Sequence, residues 1–167
     1  MDKPLNLPPA IIIDLDGTLI NSERRCNRLG IKDMNAKRGP DYDWSKFFEN
    51  MEWDTTYPWC LEIVMRFHRF FHILFVTRRN EGLRAATIAS LEANNVPRFF
   101  EQYQLFMAHE DDRRDSAESK KDIYYDHIMG KYNVLFAIDD DPEVLDMWVE
   151  LKIPGLLVRQ GAVLTVG

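Results

Sequence analysis

The chain has 167 residues, of which 46% are hydrophobic and 29% charged, with eight glycines, eight prolines and two cysteines. That mix predicts one globular domain with a buried core, over residues 1–167, and excludes a disordered tail, a collagen-like rod and a disulfide scaffold. The net charge of −6 argues against a surface that tracks many backbone phosphates. No apolar run reaches the roughly 18 residues of a membrane span, the first nine residues carry no signal-peptide stretch, and Cys26 and Cys60 stand outside any C-x-x-C pattern, so the expected location is cytoplasmic and reducing.

In chain order, the first element is the nearly all-apolar run at residues 10–14. Such a run fits a strand covered on both faces, as in a parallel sheet. Residues 20–57 follow as an exception: polar, basic and aromatic, with Gly39-Pro40 as a turn signal. They read as a small cap or insertion after the first strand. Within them, residues 21–46 carry seven basic and four acidic side chains, a local charge of +3 that leaves −9 for the rest. Leu61, Val64, Phe67 and Phe71 then recur at helical spacing. A second buried-type strand is expected at 72–77, a helix through Leu83, Ala86 and Leu91, and a third strand at 104–107. A stripe of Ile123, Tyr124, His127 and Ile128 predicts another helix, 133–139 a fourth strand, Val144 to Leu151 a helix opened by Pro142, and 154–158 a fifth strand. Strands alternating with helices predict an α/β fold: a three-layer, Rossmann-like parallel sheet.

Ligands of such sheets bind beyond the carboxyl ends of the strands. The first run ends in Asp14, the second in Thr77, the fourth in Asp139-Asp140. In Asp14-Leu15-Asp16-Gly17-Thr18, residues two apart in extended chain point the same way, so two carboxylates crowd together. A hard divalent cation such as Mg2+ relieves that crowding, and Asp139 and Asp140 would complete its oxygen ligands. One aspartate then attacks phosphorus and the other moves the proton. Lys120 or Lys121 would offset the charge of a transferring phosphoryl group.

These residues resemble the four motifs of the haloacid dehalogenase superfamily of phosphotransferases: Asp14-Leu15-Asp16-Gly17-Thr18-Leu19, then Phe75-Val76-Thr77, then Lys120, then Ala137-Ile138-Asp139-Asp140. The resemblance implies an aspartyl-phosphate on Asp14, acid/base work by Asp16, a phosphoryl group held by Thr77 and Lys120, and Mg2+ bound among Asp14, Asp16, Asp139 and Asp140. Three further stretches are similar to the phosphatase domain of phage polynucleotide kinase/phosphatase: Lys37-Arg38-Gly39-Pro40, Val76-Thr77-Arg78-Arg79, and the run from Lys120 through His127-Ile128 to Met147-Trp148. By that likeness the substrate is a 3′-phosphate end of nucleic acid or a nucleotide, touched by Arg79 and by Arg38 or Arg25. The chain departs from the pattern at Arg78, where relatives carry glycine, and at Ser116, where they carry an acid, with Asp115 one step away. No G-x-x-x-x-G-K-[ST] motif is present, so no kinase P-loop is expected.

Two other readings stand beside this one. One is a phosphatase of another small phosphorylated metabolite; the other is a fold that binds phosphorylated ligands without turnover. Retention of both motif aspartates favours an enzyme. Trp44, Phe47, Phe48, Trp53, Tyr57 and Trp59 either stack bases or form the core of the insertion. His68 and His72, four apart, lack the acid of a zinc motif, and His109 and His127 read as surface residues.

Overall fold

A computed structural model describes residues 6–33, 35–36, 42–96 and 103–159. β1 (Pro9–Ile13) is followed by β2 (Ile20–Asn21), α1 (Glu23–Leu29), β3 (Thr55–Thr56) and α2 (Pro58–Phe67). Next come β4 (His72–Asn80), α3 (Arg84–Ala93), β5 (Tyr103–Ala108), α4 (Ser116–Ile123), β6 (Asn133–Asp139), α5 (Pro142–Glu150) and β7 (Gly155–Leu157). Five strands make one parallel sheet in the order β5-β4-β1-β6-β7. The expected α/β sheet is therefore present, with its five strands at the five apolar runs.

The alternation of side chains along β1 builds both faces. Ile11 and Ile13 pack with Ile73, Phe75, Leu105 and Met107 under α2 and α3, through Cys60, Val64 and Leu91. Ala10 and Ile12 pack with Leu74, Val76, Val134 and Ala137 under α4 and α5, through Ile123, Val144, Met147 and Trp148. Ile11, Ile12 and Ile13 are all essentially inaccessible, and each stabilises by about 1.5–3 kcal/mol when fully buried. Helix starts follow their sequence signals. Pro58 and Pro142 take first-turn positions, and the carboxylates of Asp115 and Asp141 accept from the backbone N–H of Glu118 and Glu143 at 2.8 and 2.9 Å.

Two elements differ from expectation. α4 begins at Ser116, well ahead of the apolar stripe, and runs into a π-turn at Tyr124–Ile128. The wider turn lets Ile123 and Ile128, five apart, enter the same core, while His127 stays outside against Phe106. Within 20–57, the short helix α1 was not expected. Its sequence Glu-Arg-Arg-Cys-Asn-Arg-Leu is too polar to show helical periodicity. β2 and β3 pair antiparallel, closing this excursion on itself outside the main sheet. Cys26, Ile31 and Phe47 form its small core, with Leu29, Trp44 and Phe48 packed against them. Among the described residues, no helix is long and apolar enough to cross a membrane.

The chain winds from β1 outward through β4 to β5, then returns to β6 on the other side of β1 and continues to β7. Connections leave β1 and β6 in opposite directions. The crevice beyond the carboxyl ends of those two strands is where such sheets place ligands.

Candidate active site

Asp14 is the first residue past β1, and its N–H still bonds the Ile138 carbonyl of β6 at 3.0 Å. The chain then turns sharply: Thr18 and Ile20 both donate to the Leu15 carbonyl, at 3.1 and 2.8 Å. Gly17 makes this turn at φ +87°, and a side chain there would run into the Asp140 carboxylate. The turn corrects one expectation. Asp14 and Asp16 are not in extended chain, so their carboxylates part and face different cations.

Asp14 faces Lys120. The ammonium, 2% exposed, donates to Asp14 Oδ1 at 2.7 Å and to Asp139 Oδ2 at 2.6 Å. Burial opposes the charge on Lys120, but Asp139 and Asp14 outweigh it and raise its pKa. Burial pushes Asp14 and Asp139 up, Asp139 well up, against the pull of Lys120. Asp140 is pushed up to about 7 by burial and by the Asp14 charge; Asn35 Nδ2 donates to it at 3.0 Å and Thr18 Oγ1 lies at 3.4 Å. Oxygens of Asp14, Asp139 and Asp140 all lie within 4.8 Å of one another. Three crowded carboxylates with one ammonium among them are an all-oxygen, electron-rich donor set, which fits Mg2+. Asp16, expected among the metal ligands, does not join this group.

Asp16 is held from the other side. Its oxygens accept from Arg79 Nε and Nη2 at 2.7 and 2.8 Å and from Arg25 Nη2 at 2.6 Å. Burial works against its charge, but Arg79 and Arg25 prevail and hold it well below the usual carboxylate range. Arg25 in turn grips Asp54 through Nε and Nη2 at 2.7 and 2.8 Å, donates to the Phe47 carbonyl at 2.8 Å and lies over the Phe47 ring. Arg79 also reaches Asp54 at 3.5 Å and Thr87 Oγ1 at 3.3 Å. Two arginines and two aspartates thus form a buried, charge-balanced square. Asp54 carried no sequence signal, being a lone acid between Trp53 and Thr55, and neither did Thr87 or Asn35.

Thr77, buried, ends the regular part of β4, and its hydroxyl accepts from the Arg79 N–H at 3.2 Å. The pairing of β4 with β5 shifts register between Thr77 and Asn80. From that bulge Arg79 turns toward Asp16, while Arg78, in the place of the glycine of the resemblance, bonds the carbonyls of Asp112 and Arg114 at 2.8 Å each. Arg78 so ties down the loop that leads into α4 and Lys120. Of the two candidates for one substrate contact, Arg25 is in the site and Arg38 lies outside the described residues. Cys60 is fully buried with its thiol pushed up to about 12, and His68 and His72 sit on α2's end and on β4, apart from the site.

A family model for the polynucleotide kinase PNKP phosphatase domain matches residues 8–163. The chain belongs to this family. A relative in Autographa californica nuclear polyhedrosis virus, named as a bifunctional polynucleotide kinase/RNA ligase, is 28% identical over 149 residues, which are 88% of this chain and 19% of the viral protein. A chain of the Pnkp1/Rnl/Hen1 RNA repair complex is 26% identical with a TM-score of 0.72, over 97% of this chain and 46% of that one. A haloacid dehalogenase-like hydrolase of Streptococcus pneumoniae, 12% identical with a TM-score of 0.60 over 93% of this chain and 86% of its own, shares the fold. The chain spans about a fifth of the viral relative and under half of the RNA repair chain. It is a phosphatase domain of the polynucleotide kinase/phosphatase type on a haloacid dehalogenase-like α/β fold.

Proposed function

We propose that the chain is a Mg2+-dependent phosphomonoesterase that removes 3′-phosphates from nucleic-acid ends through an aspartyl-phosphate on Asp14. The observation that carries this is the placement of Asp14 at the β1–β6 crevice, 2.7 Å from a buried lysine and grouped with Asp139 and Asp140. Asp14, Asp139 and Asp140 would hold Mg2+, which supplies charge neutralisation for an anionic phosphate next to a carboxylate.

A carboxylate oxygen of Asp14 attacks phosphorus, and the bond to the 3′ oxygen breaks. Asp16, which takes up a proton once Arg25 and Arg79 shift to the substrate phosphate, gives it to that oxygen, then takes one from the water that cleaves the acyl-phosphate, releasing inorganic phosphate and restoring Asp14. Lys120 and Thr77 stabilise the charge on the transferring group. Arg25 and Arg79 bind substrate phosphate, and Arg38, from the same excursion of chain as Arg25, is a further candidate. Residues 20–57 act as a small cap over the site of the single domain 1–167. With a net charge of −6, the protein grips an end rather than tracking along a duplex.

The test is phosphate release from 3′-phosphorylated, 5′-phosphorylated and sugar-phosphate substrates, with Mg2+ and with EDTA. The 3′-end should be preferred, EDTA should stop turnover, and Asp14→Asn should lower it by orders of magnitude while the chain stays folded. Equal turnover of the 5′-isomer would sink the substrate assignment. Activity in Asp14→Asn would sink the mechanism.

A further inference from the structure

The aromatics of residues 42–59 divide in two. Trp44, Phe47 and Phe48 belong to the small core around Cys26 and Ile31. Trp53 does not. It is 40% exposed, and two guanidiniums lie over its ring, Arg24 Cζ at 4.7 Å and Arg28 Cζ at 5.7 Å from the centroid. Arg24 and Arg28 are one turn apart on α1, so both approach the indole from the helix side. Both are exposed, and neither has an ion-pair partner among the described residues, although Glu23 precedes Arg24 and Glu52 precedes Trp53 in sequence. A fold that needed these charges only for solubility would leave them free in water. Stacking on an indole instead holds both charges at one place, and part of the indole surface remains open, Trp53 being 40% exposed.

The position of this platform gives it an occupant. Arg25, between Arg24 and Arg28, points inward to Asp16, and Asp54, next to Trp53, grips that same Arg25. Arg24 and Trp53 are therefore each one residue along their segments from the ion pair that borders Asp16, and Arg28 is three. Indole surface suits a nucleobase, and two fixed guanidiniums suit one or two backbone phosphates. On a chain whose net charge is −6, an arginine pair without acidic partners is complementary to a polyanion.

We propose that Arg24, Arg28 and Trp53 form a stacking platform for the single-stranded segment of nucleic acid that leads up to the 3′-phosphate. This rests on the reading of the chain as a phosphatase of nucleic-acid ends. The platform is tolerant of sequence, because every base has a stacking face.

The experiment uses the full chain and two readouts. Fluorescence anisotropy measures binding of a labelled, 3′-hydroxyl oligothymidylate, which needs no turnover; kinetics compare a 3′-phosphorylated oligothymidylate with a small aryl phosphate. In Trp53→Ala, affinity and oligonucleotide kcat/KM should fall about 5–100-fold, the kinetic loss residing in KM, as loss of one base–aromatic stack requires. Trp53→Phe should restore most of it. Arg24→Gln with Arg28→Gln should flatten the salt dependence of binding by about 0.7–1.4 in log–log slope. Aryl phosphate turnover should stay at the native rate in all three, which also reports folding. Unchanged oligonucleotide affinity and salt slope in both Trp53→Ala and the double arginine variant would overturn the platform and leave the patch to a protein partner. Failure of the native chain to dephosphorylate the oligonucleotide, with binding still lost in Trp53→Ala, would overturn the end-phosphatase reading and keep the platform.

Discussion

Asp14 and Asp16 share one short motif and have opposite surroundings. Asp14 has an ammonium and two more carboxylates about it; Asp16 has two guanidiniums. In the free chain Asp16 is therefore held ionised, the form that takes a proton from water. On the proposed mechanism, protonating a leaving group requires Arg25 or Arg79 to move from Asp16 to the phosphoryl oxygens, which would tie proton delivery to substrate arrival. Asp16→Asn should thus abolish turnover of alkyl phosphates while a good aryl leaving group still gives a burst of phenol, with the phosphoryl-enzyme accumulating. Equal loss on both substrates would reduce Asp16 to a structural role. The pairing also bears on acid stability. A carboxyl whose folded pKa lies below its ordinary value stabilises the fold above that ordinary value, and the contribution disappears as pH falls through the folded pKa. Residue types and order made Asp14, Asp16, Lys120, Asp139 and Asp140 legible in the sequence. The divergence of Asp14 from Asp16 was not legible, because it depends on a turn held by Gly17 against Asp140.

At the scale of elements, the sheet was legible because parallel strands buried on both faces read as apolar runs. Strand order was not, since nothing local in a run says which neighbour it pairs with. α1 was hidden because its inward face is an arginine and a cysteine rather than a row of aliphatics. That helix is tied to the segment before β3 by the Arg25–Asp54 pair, both of whose side chains are nearly inaccessible, as well as by apolar packing. Asp54→Asn should cost about 3–5 kcal/mol, toward the lower end because Asp16 remains as a partner for Arg25. In a domain of this size that lowers the melting temperature by about 6–20 °C. Replacing both members with Leu and Met should be far milder, because no buried charge is then orphaned at that position. A single variant that melts with the native protein would show that the pair carries no net stability.

For the whole molecule, the fold accepts a cluster of like charges in the crevice between β1 and β6. Asp139 is 1% and Asp14 5% exposed, and one lysine cannot balance three carboxylates. Mg2+ should therefore stabilise the chain thermally. At about one hundred times its dissociation constant, a ligand of the folded state alone adds about 2.7 kcal/mol, a rise of about 5–11 °C. Asp140→Asn removes one crowded charge and should raise the metal-free melting temperature while shrinking the response to Mg2+. A melting curve that ignores both Mg2+ and EDTA would speak against this cluster as a metal site.

The central place of β1 also sets the order in which the protein becomes competent during folding. Asp14 meets Lys120 across 106 positions of chain, and Thr18 meets Asp140 across 122. β1 can pair with β4 early, yet its other edge waits for β6, and closing so long a loop is entropically costly before any contact rewards it. Half the sheet, with α2 and α3 packed on it, can exist while Asp14 still lacks its lysine. If Asp14 is the nucleophile, catalytic competence should arrive with the last strands rather than with collapse, and an incompletely folded chain should be inert toward phosphate esters instead of loosely active.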